Sequence, residues 1–317
     1  MVLFKGAFGS IAALGRTLEK ATPLIFSGMA MAFALKAGLF NIGTQGQLIF
    51  GAIAAAATGF GISGLPACIH IPLTMLAAVF ASGIYGAFQG LLKAYTGAHE
   101  VITGIMLNYI AINLTDFLTN GPLRDNAPGN IIARTPLIYE SSHIPTIYGI
   151  STGFFIALIV SVGVWWFLKY TTTGFEIKTT GAGINAAKYS GIQINRTLIL
   201  TMFISGALAG LGGAIETQSI THRFQPGFNT GLGFEGITIA LLGRAHPFGI
   251  IPAALLIGAM KAGANQMQFF ADVPTSIIDV IQGLILFFVA ADVIVTRFIP
   301  GISNQNEKIT LTTGWGK

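Results

Sequence analysis

Charge is what this chain has least of. Asp, Glu, Lys and Arg make up 9% of its 317 residues while 53% are hydrophobic, against about 25% charged in an ordinary soluble domain. That shortage excludes a soluble fold, and the apolar runs leave no room for a separate soluble domain, so residues 1–317 read as one transmembrane unit with connecting loops. A single cysteine, Cys68, excludes an internal disulfide and a multi-cysteine metal site, and reads as a small hydrophobe. His70, His99, His143, His222 and His246 never fall four residues apart, and neither an HExxH nor a DDxxD-like pattern occurs. An intramembrane zinc protease and a magnesium-dependent prenyl transferase therefore fall away, and no metal or other cofactor is expected. No lysine sits in a G-x-x-x-x-G-K-[ST] phosphate loop, so the chain is not expected to hydrolyse ATP or to be an enzyme. The formal charge of +5 is what basic cytoplasmic loops alone produce, and calls for no nucleic-acid partner.

Apolar runs near twenty residues predict an all-α, polytopic bundle of about eight to ten transmembrane helices. Nine spans are placed at about 21–37, 44–61, 71–92, 101–120, 151–169, 197–218, 230–243, 248–266 and 276–295. The seventh is short and opens on Gly231, Gly233 and Gly236, a formal G-x-G-x-x-G without the βαβ setting of a dinucleotide site; it reads as a packed or broken, partly re-entrant helix. Broken helices of this kind accompany inverted repeats in transporters.

Lysine and arginine set the orientation. Lys169, Lys178, Lys188 and Arg196 face a single acid, Glu176, in the segment at about 170–196, and Arg297, Lys308 and Lys317 follow the last span, so both stretches are cytoplasmic. Arg244 then also lies inside, and the loop at about 121–150, with Arg124 and Arg134 balanced by Asp125 and Glu140, lies outside. Lys5, Arg16 and Lys20 fall on the outer side, against the rule. An additional span upstream of Met1 would reconcile them, and is the expectation.

The stretch from Gly38 to Ala52, GLFNIGTQGQLIFGA, puts Asn41, Gln45 and Gln47 at membrane depth. Hydrocarbon offers these amides no water, so they either pack one helix on another or line a water-filled path. Two stripes run along the fourth span: Asn108, Ala111, Thr115 and Thr119 on one, Asn113, Asp116 and Asn120 on the other. Thr201, Ser205, Ala209, Gly213 and Glu216 form a small-residue face ending in an acid, beside the GxxxG of Gly206 and Gly210. Lys261, Asn265 and Gln268 align on another span, as do Asp279 and Gln282 on the last. Asn41, Gln45, Asn108, Asp116, Glu216, Glu235 and Asn265 are the candidates for lining a path.

GLFNIGTQGQ, HEVITGIMLNYIAINL from His99 to Leu114, GAGINAAKYSGI from Gly181 to Ile192 and ISGALAGLGGAIE from Ile204 to Glu216 occur in that order. Together they resemble the permease subunits of bacterial ABC importers for nucleosides, a group related to ribose and branched-chain amino-acid permeases. The resemblance covers about residues 1–300. It implies a multi-pass protein of the bacterial cytoplasmic membrane that forms a translocation path, pairs with a second permease (a paralogue or itself), and works with separate ATPase subunits and an external binding lipoprotein. It also implies a coupling helix in the inner segment. Asn185 can cap it, Ala186 to Ser190 form it and Gly191 end it, with Gly183, Ala186, Ala187 and Gly191 small enough to enter a groove on the ATPase. The runner-up substrate is a simple sugar of the ribose type; the competing class is a secondary transporter or channel.

Overall fold

A chain this apolar satisfies its backbone internally, which in hydrocarbon means helices. The computed structural model describes residues 2–128, 130–227, 231–271 and 273–298, the last nine of these and residue 271 by backbone alone. The helices are α1 (Val2–Phe8), α2 (Ile11–Lys36), α3 (Thr44–Gly61), α4 (Ala67–Thr96), α5 (Glu100–Asn120), α6 (Thr152–Tyr170), α7 (Thr172–Ala182), α8 (Ile184–Tyr189), α9 (Ile194–Glu216), α10 (Leu232–Leu242), α11 (Pro247–Ala271) and α12 (Ser276–Phe298). A π-helical turn, Thr217–Thr221, prolongs α9. Among the described residues six helices are long and apolar enough to cross a membrane, and α10 and α12 supply shorter apolar stretches.

The nine expected spans correspond to α2 to α6 and α9 to α12, with shifted ends. The largest shift is at α2, which starts at Ile11, so Arg16, Glu19 and Lys20 lie within the helix. The reason is local: Ser10 caps the helix by accepting from the Ala13 amide at 3.1 Å, and Thr17 donates to the Ala7 carbonyl at 2.8 Å, tying α2 to α1. Residue 230, with which the seventh span was to open, and Lys308 and Lys317 lie outside the described residues.

The connection between α5 and α6 carries a 3₁₀ turn, Glu140–Ser142, and a hairpin of β1 (Thr146–Ile147) and β2 (Ile150–Ser151), with Thr146 opposite Ser151. Tyr148 and Gly149 turn it with positive φ, 51° and 79°, the twist a two-residue hairpin prefers.

Two halves of the bundle, α2 to α5 and α9 to α12, repeat one another in the same order and opposite orientation. Ser205 donates to the Ala30 carbonyl while Gly212 packs on Phe26, so α2 and α9 run antiparallel down the centre. α3 lies along α9, where Gly51 meets Gly210 and Gly213 meets Leu48; α10 lies along α2, where Gly236 meets Ser27 and Gly28 meets Ile239. α4 packs along α9 and α11 packs against α2, and α5 and α12 attach to α3 and α10 respectively. Sequence echoes the exchange: Ser27-Gly28 recurs as Ser205-Gly206, Phe40-Asn41-Ile42-Gly43 as Phe228-Asn229-Thr230-Gly231, and the V-I-x-G of Val101 to Gly104 as Val280 to Gly283. The glycines on these contacts let backbones approach where a side chain would collide.

Candidate functional site

The candidate residues sort into four places. The first is the segment between α2 and α3, residues 37–43, a non-helical stretch whose Leu39 and Asn41 are buried. Asn41 is 0% exposed. Its Nδ2 donates to Gln47 Oε1 at 2.8 Å and to Ser205 Oγ at 2.7 Å. Gln47 Nε2 reaches back to Asn41 Oδ1 and on to Gln89 Oε1, each at 3.2 Å, and Gln89 Nε2 donates to the Glu100 carbonyl at 3.0 Å. Asn108 clamps the same segment, accepting from the Gly46 amide at 2.7 Å and donating to the Ile42 carbonyl at 3.0 Å. Gln45 Oε1 accepts from the Gly233 amide at 2.7 Å, at the start of α10. Ser205 lies eleven residues into α9, about 16 Å along its axis at 1.5 Å per residue, so this irregular backbone sits deep in the bundle. It is tolerated there because protein amides replace water around it.

The second place is α5. Asn108, Ala111, Thr115 and Thr119 are buried against the bundle, whereas Tyr109, Asn113 and Asn120 are exposed and Asp116 half-buried. Tyr109, Asn113, Asp116 and Asn120 are spaced four, three and four apart and share one stripe. The outward large side chains of α4 and α6, such as Phe80, Ile84, Phe88, Phe155, Ile159 and Trp166, are hydrophobic. A polar stripe facing lipid would be costly, so this face of α5 is built for water or for protein.

The third is a cavity of about 260 Å³ between α2, α9, α10, α11 and α12, lined by Lys20, Glu216, Lys261, Asn265, Ile278 and Asp279 among others. Glu216 is buried at its wall. Lys261 does not extend outward: its Nζ meets Glu235 Oε1 at 2.5 Å, so α11 holds the first turn of α10. Glu216, Glu235 and Asn265 thus gather in one region, apart from the Asn41 cluster and from Asp116.

The fourth is the segment between α6 and α9. Its short helix, α8, begins at Ile184 after Gly183, so Asn185 stands in the first turn and does not cap it. Gly191 ends it with φ 78°, as a glycine there allows, its amide donating to the Lys188 carbonyl at 3.0 Å. Ala187 is fully buried and faces the permease body, while Asn185, Ala186, Lys188, Ser190 and above all Tyr189, 94% exposed, face out. Gly181, at the end of α7, lies directly against the carbonyl of Lys36 at the end of α2.

The residue spacing did not single out Gln89, Tyr109 or Tyr189; it placed Ser205 only on a small-residue face and Lys20 only among the charges before the first span. The recurrence of F-N-x-G was the signal that two buried helix starts face one another. Among the described residues no group of three or more His, Cys, Asp or Glu is placed to hold a metal.

The family model for the permease component of branched-chain amino acid transport systems matches residues 13–290. The chain belongs to this permease family. It is 37% identical over 308 residues to the guanosine ABC transporter permease NupP of Bacillus subtilis, covering 94% of this chain and 86% of that protein. It is 35% identical to the nucleoside ABC transporter permease NupB of Lactococcus lactis, covering 94% and 84%. A glucose ABC transporter permease, TsgB13 of Haloferax volcanii, is 31% identical, covering 95% and 82%. This permease is therefore a multi-pass membrane component of an ABC importer, and the charged and amide-rich places described above belong to a transport protein.

Proposed function

We propose that this permease carries nucleosides inward across a bacterial cytoplasmic membrane as one half of a paired translocation unit. The observation that carries the substrate reading is the identity of 37% and 35%, over 94% of the chain, to permeases named for guanosine and for nucleosides. The stripe of Tyr109, Asn113, Asp116 and Asn120 supports the pairing: a second permease, a paralogue or a second copy, leaves a wet path between the two α5 faces. Glu216, Glu235 and Asn265 belong to a polar chamber beside that path, while Asn41, Gln45 and Asn108 hold the helices that frame it.

ATP hydrolysis falls to separate subunits, since this sequence has no phosphate loop. Two ATPases dock on the outward face of α8, with Tyr189 as the anchor of the contact. Closure of the ATPase pair then shifts α8 and α7, and the contact of Gly181 with the end of α2 carries that shift toward the buried 37–43 segment. An external binding lipoprotein delivers the solute at the hairpin side.

Uptake of radiolabelled guanosine in cells carrying and lacking the gene, with unlabelled nucleosides, ribose and glucose as competitors, tests this reading. Competition by nucleosides alone is expected. A glucose or ribose substrate is the second reading, favoured by the 31% identity to the glucose permease of Haloferax volcanii, and competition by the sugars alone would establish it instead.

A further inference from the structure

The two inverted halves use the same contact with different chemistry. In the first half Gln47, in the first turn of α3, reaches α4 through Gln89 at 3.2 Å. At the matching position after the repeated F-N-x-G, α10 carries Glu235, which reaches α11 through Lys261 at 2.5 Å. Around Gln47 the amides close the space with hydrogen bonds to Asn41 and Gln89. Around Lys261 lies the cavity of about 260 Å³ instead. Folding does not demand charge at this contact, because the first half makes it with neutral amides. A partly buried ion pair adds little stability relative to a neutral alternative, so the difference calls for another role.

The cavity's polar edge is balanced. Lys20 and Lys261 supply ammonium donors, Glu216 and Asp279 carboxylate acceptors, and Asn265 both. Glu235, behind Lys261, tips the sum toward negative. One turn further along α12, on the face shared with Ile278 and Asp279, Gln282 is 8% exposed and its Nε2 has no hydrogen-bond partner among the described residues; nor has Glu235 Oε2. A buried donor and a buried acceptor thus lack protein partners within a turn of the lining, although neither residue lines the cavity itself. A solute with both hydroxyls and ring nitrogens matches such a set, whereas a phosphate meets carboxylates on two sides.

We propose that this cavity is a solute-binding subsite for uncharged, hydroxyl-bearing compounds, which admits a nucleoside and rejects its phosphorylated form. This rests on the nucleoside reading given above and adds the residues and the charge selectivity. The volume lies just under the roughly 300–1,000 Å³ usual for small-molecule sites, so it takes part of the solute, with the rest in the open path.

The test uses the whole importer in proteoliposomes. Replacing both partners, Glu235→Gln with Lys261→Gln, copies the amide pair of the first half and so keeps the helix contact without the charges. Asn265→Leu, at an exposed position, removes a lining group without touching the ion pair. The double variant is expected to raise the KM for guanosine about tenfold or more, the loss of charge-assisted bonds, and Asn265→Leu about threefold to tenfold, the loss of a neutral hydrogen bond, with assembly intact by co-purification. Guanosine monophosphate is expected not to compete with guanosine in the unaltered importer. Unchanged KM in both variants, or equal competition by the monophosphate, would overturn the proposal. Should the unaltered importer take up glucose and no nucleoside, the nucleoside reading fails by itself, and the same variants measured with glucose still decide whether the cavity binds solute.

Discussion

The side-chain carbonyl of Gln45 accepts a 2.7 Å hydrogen bond from the backbone amide of Gly233, so the first turn of one buried helix caps the first turn of the other. Gly233 has no room for anything larger, because a Cβ there would fall on the Gln45 backbone. Gly233→Ala is therefore expected to force α3 and α10 apart. Overpacking of this kind costs roughly 1–3 kcal/mol, visible as a lowered unfolding temperature of the detergent-purified protein, whereas Gly163→Ala, inside α6 with open space around it, is expected to hold or raise that temperature.

Asn41→Leu removes the donor shared by Gln47 and Ser205 and leaves both partners buried. Each orphaned group costs roughly 1–3 kcal/mol, so expression and uptake should fall together. Ser205→Ala in the Asn41→Leu background should cost less than the two single losses added, because the same bond is gone already. Strict additivity in thermal unfolding would contradict the shared bond.

Asn113→Leu and Asp116→Leu make the outward stripe of α5 apolar. Uptake is expected to drop at least tenfold while monomer stability holds or improves, since neither change disturbs the buried Asn108 face. Full uptake by both variants would take this face out of the path.

At the inner face, Tyr189→Ala should weaken co-purification of the ATPases about tenfold or more, as loss of an exposed aromatic anchor does at an interface, without affecting membrane insertion. Ala187→Arg should behave differently. The side chain it replaces is 0% exposed, so the protein itself should accumulate poorly. Equal accumulation of the two variants would mean that α8 turns its faces the other way.

Between α5 and α6 and just after the π-helical turn, the rings of His143 and His222 stack with centroids 4.0 Å apart, and among the described residues neither His143 Nε2 nor His222 Nδ1 has a hydrogen-bond partner. Burial, then the neighbouring His143, hold the His222 pKa below its ordinary value of 6.5 despite a backbone hydrogen bond at Gln218 that raises it. Glu140, Arg223 and His70, the last engaged with Ser141, are the other titratable groups on the adjoining segments. The folded form resists the proton that the unfolded form accepts, so the contribution is complete above about pH 6.5 and is lost as pH falls toward the depressed folded value. Proteolysis of the outer connection should accelerate in that window. His222→Asn, which suits the positive φ of 51° there, should flatten the pH dependence.

Much of the architecture was legible from hydropathy alone, because spans in lipid must be helical and apolar. Asn41, Gln45 and Gln47 also announced themselves, since amides at that depth need partners. Which partners they had was not legible: Ser205 is 164 residues away and looks like one more small residue on α9. On α5 two polar stripes of similar make-up compete, and only the packing of α3 decides that Asn108 turns in and Asn113 out. Likewise Ala187 and Tyr189 stand two residues apart on a helix too short for a periodic signal. The charged start of α2 was excluded from the span because Arg16, Glu19 and Lys20 count against any hydropathy window, yet Ala13, Gly15 and Thr17 on the same helix are buried.

The bond from Asn41 to Ser205 also bears on how the protein is made. At about 5–20 residues per second, the 164 residues between the two take on the order of 10–30 s to translate. Through that interval the side-chain amide of Asn41 has no Ser205 to meet it, and Gly51 of α3 has no Gly210 to pack on. The amino-terminal half must wait, half inserted, for its sister half to leave the ribosome. Biogenesis of this permease therefore depends on whatever shields unfinished spans from lipid, and chains arrested before Ser205 should be cleared by membrane proteases.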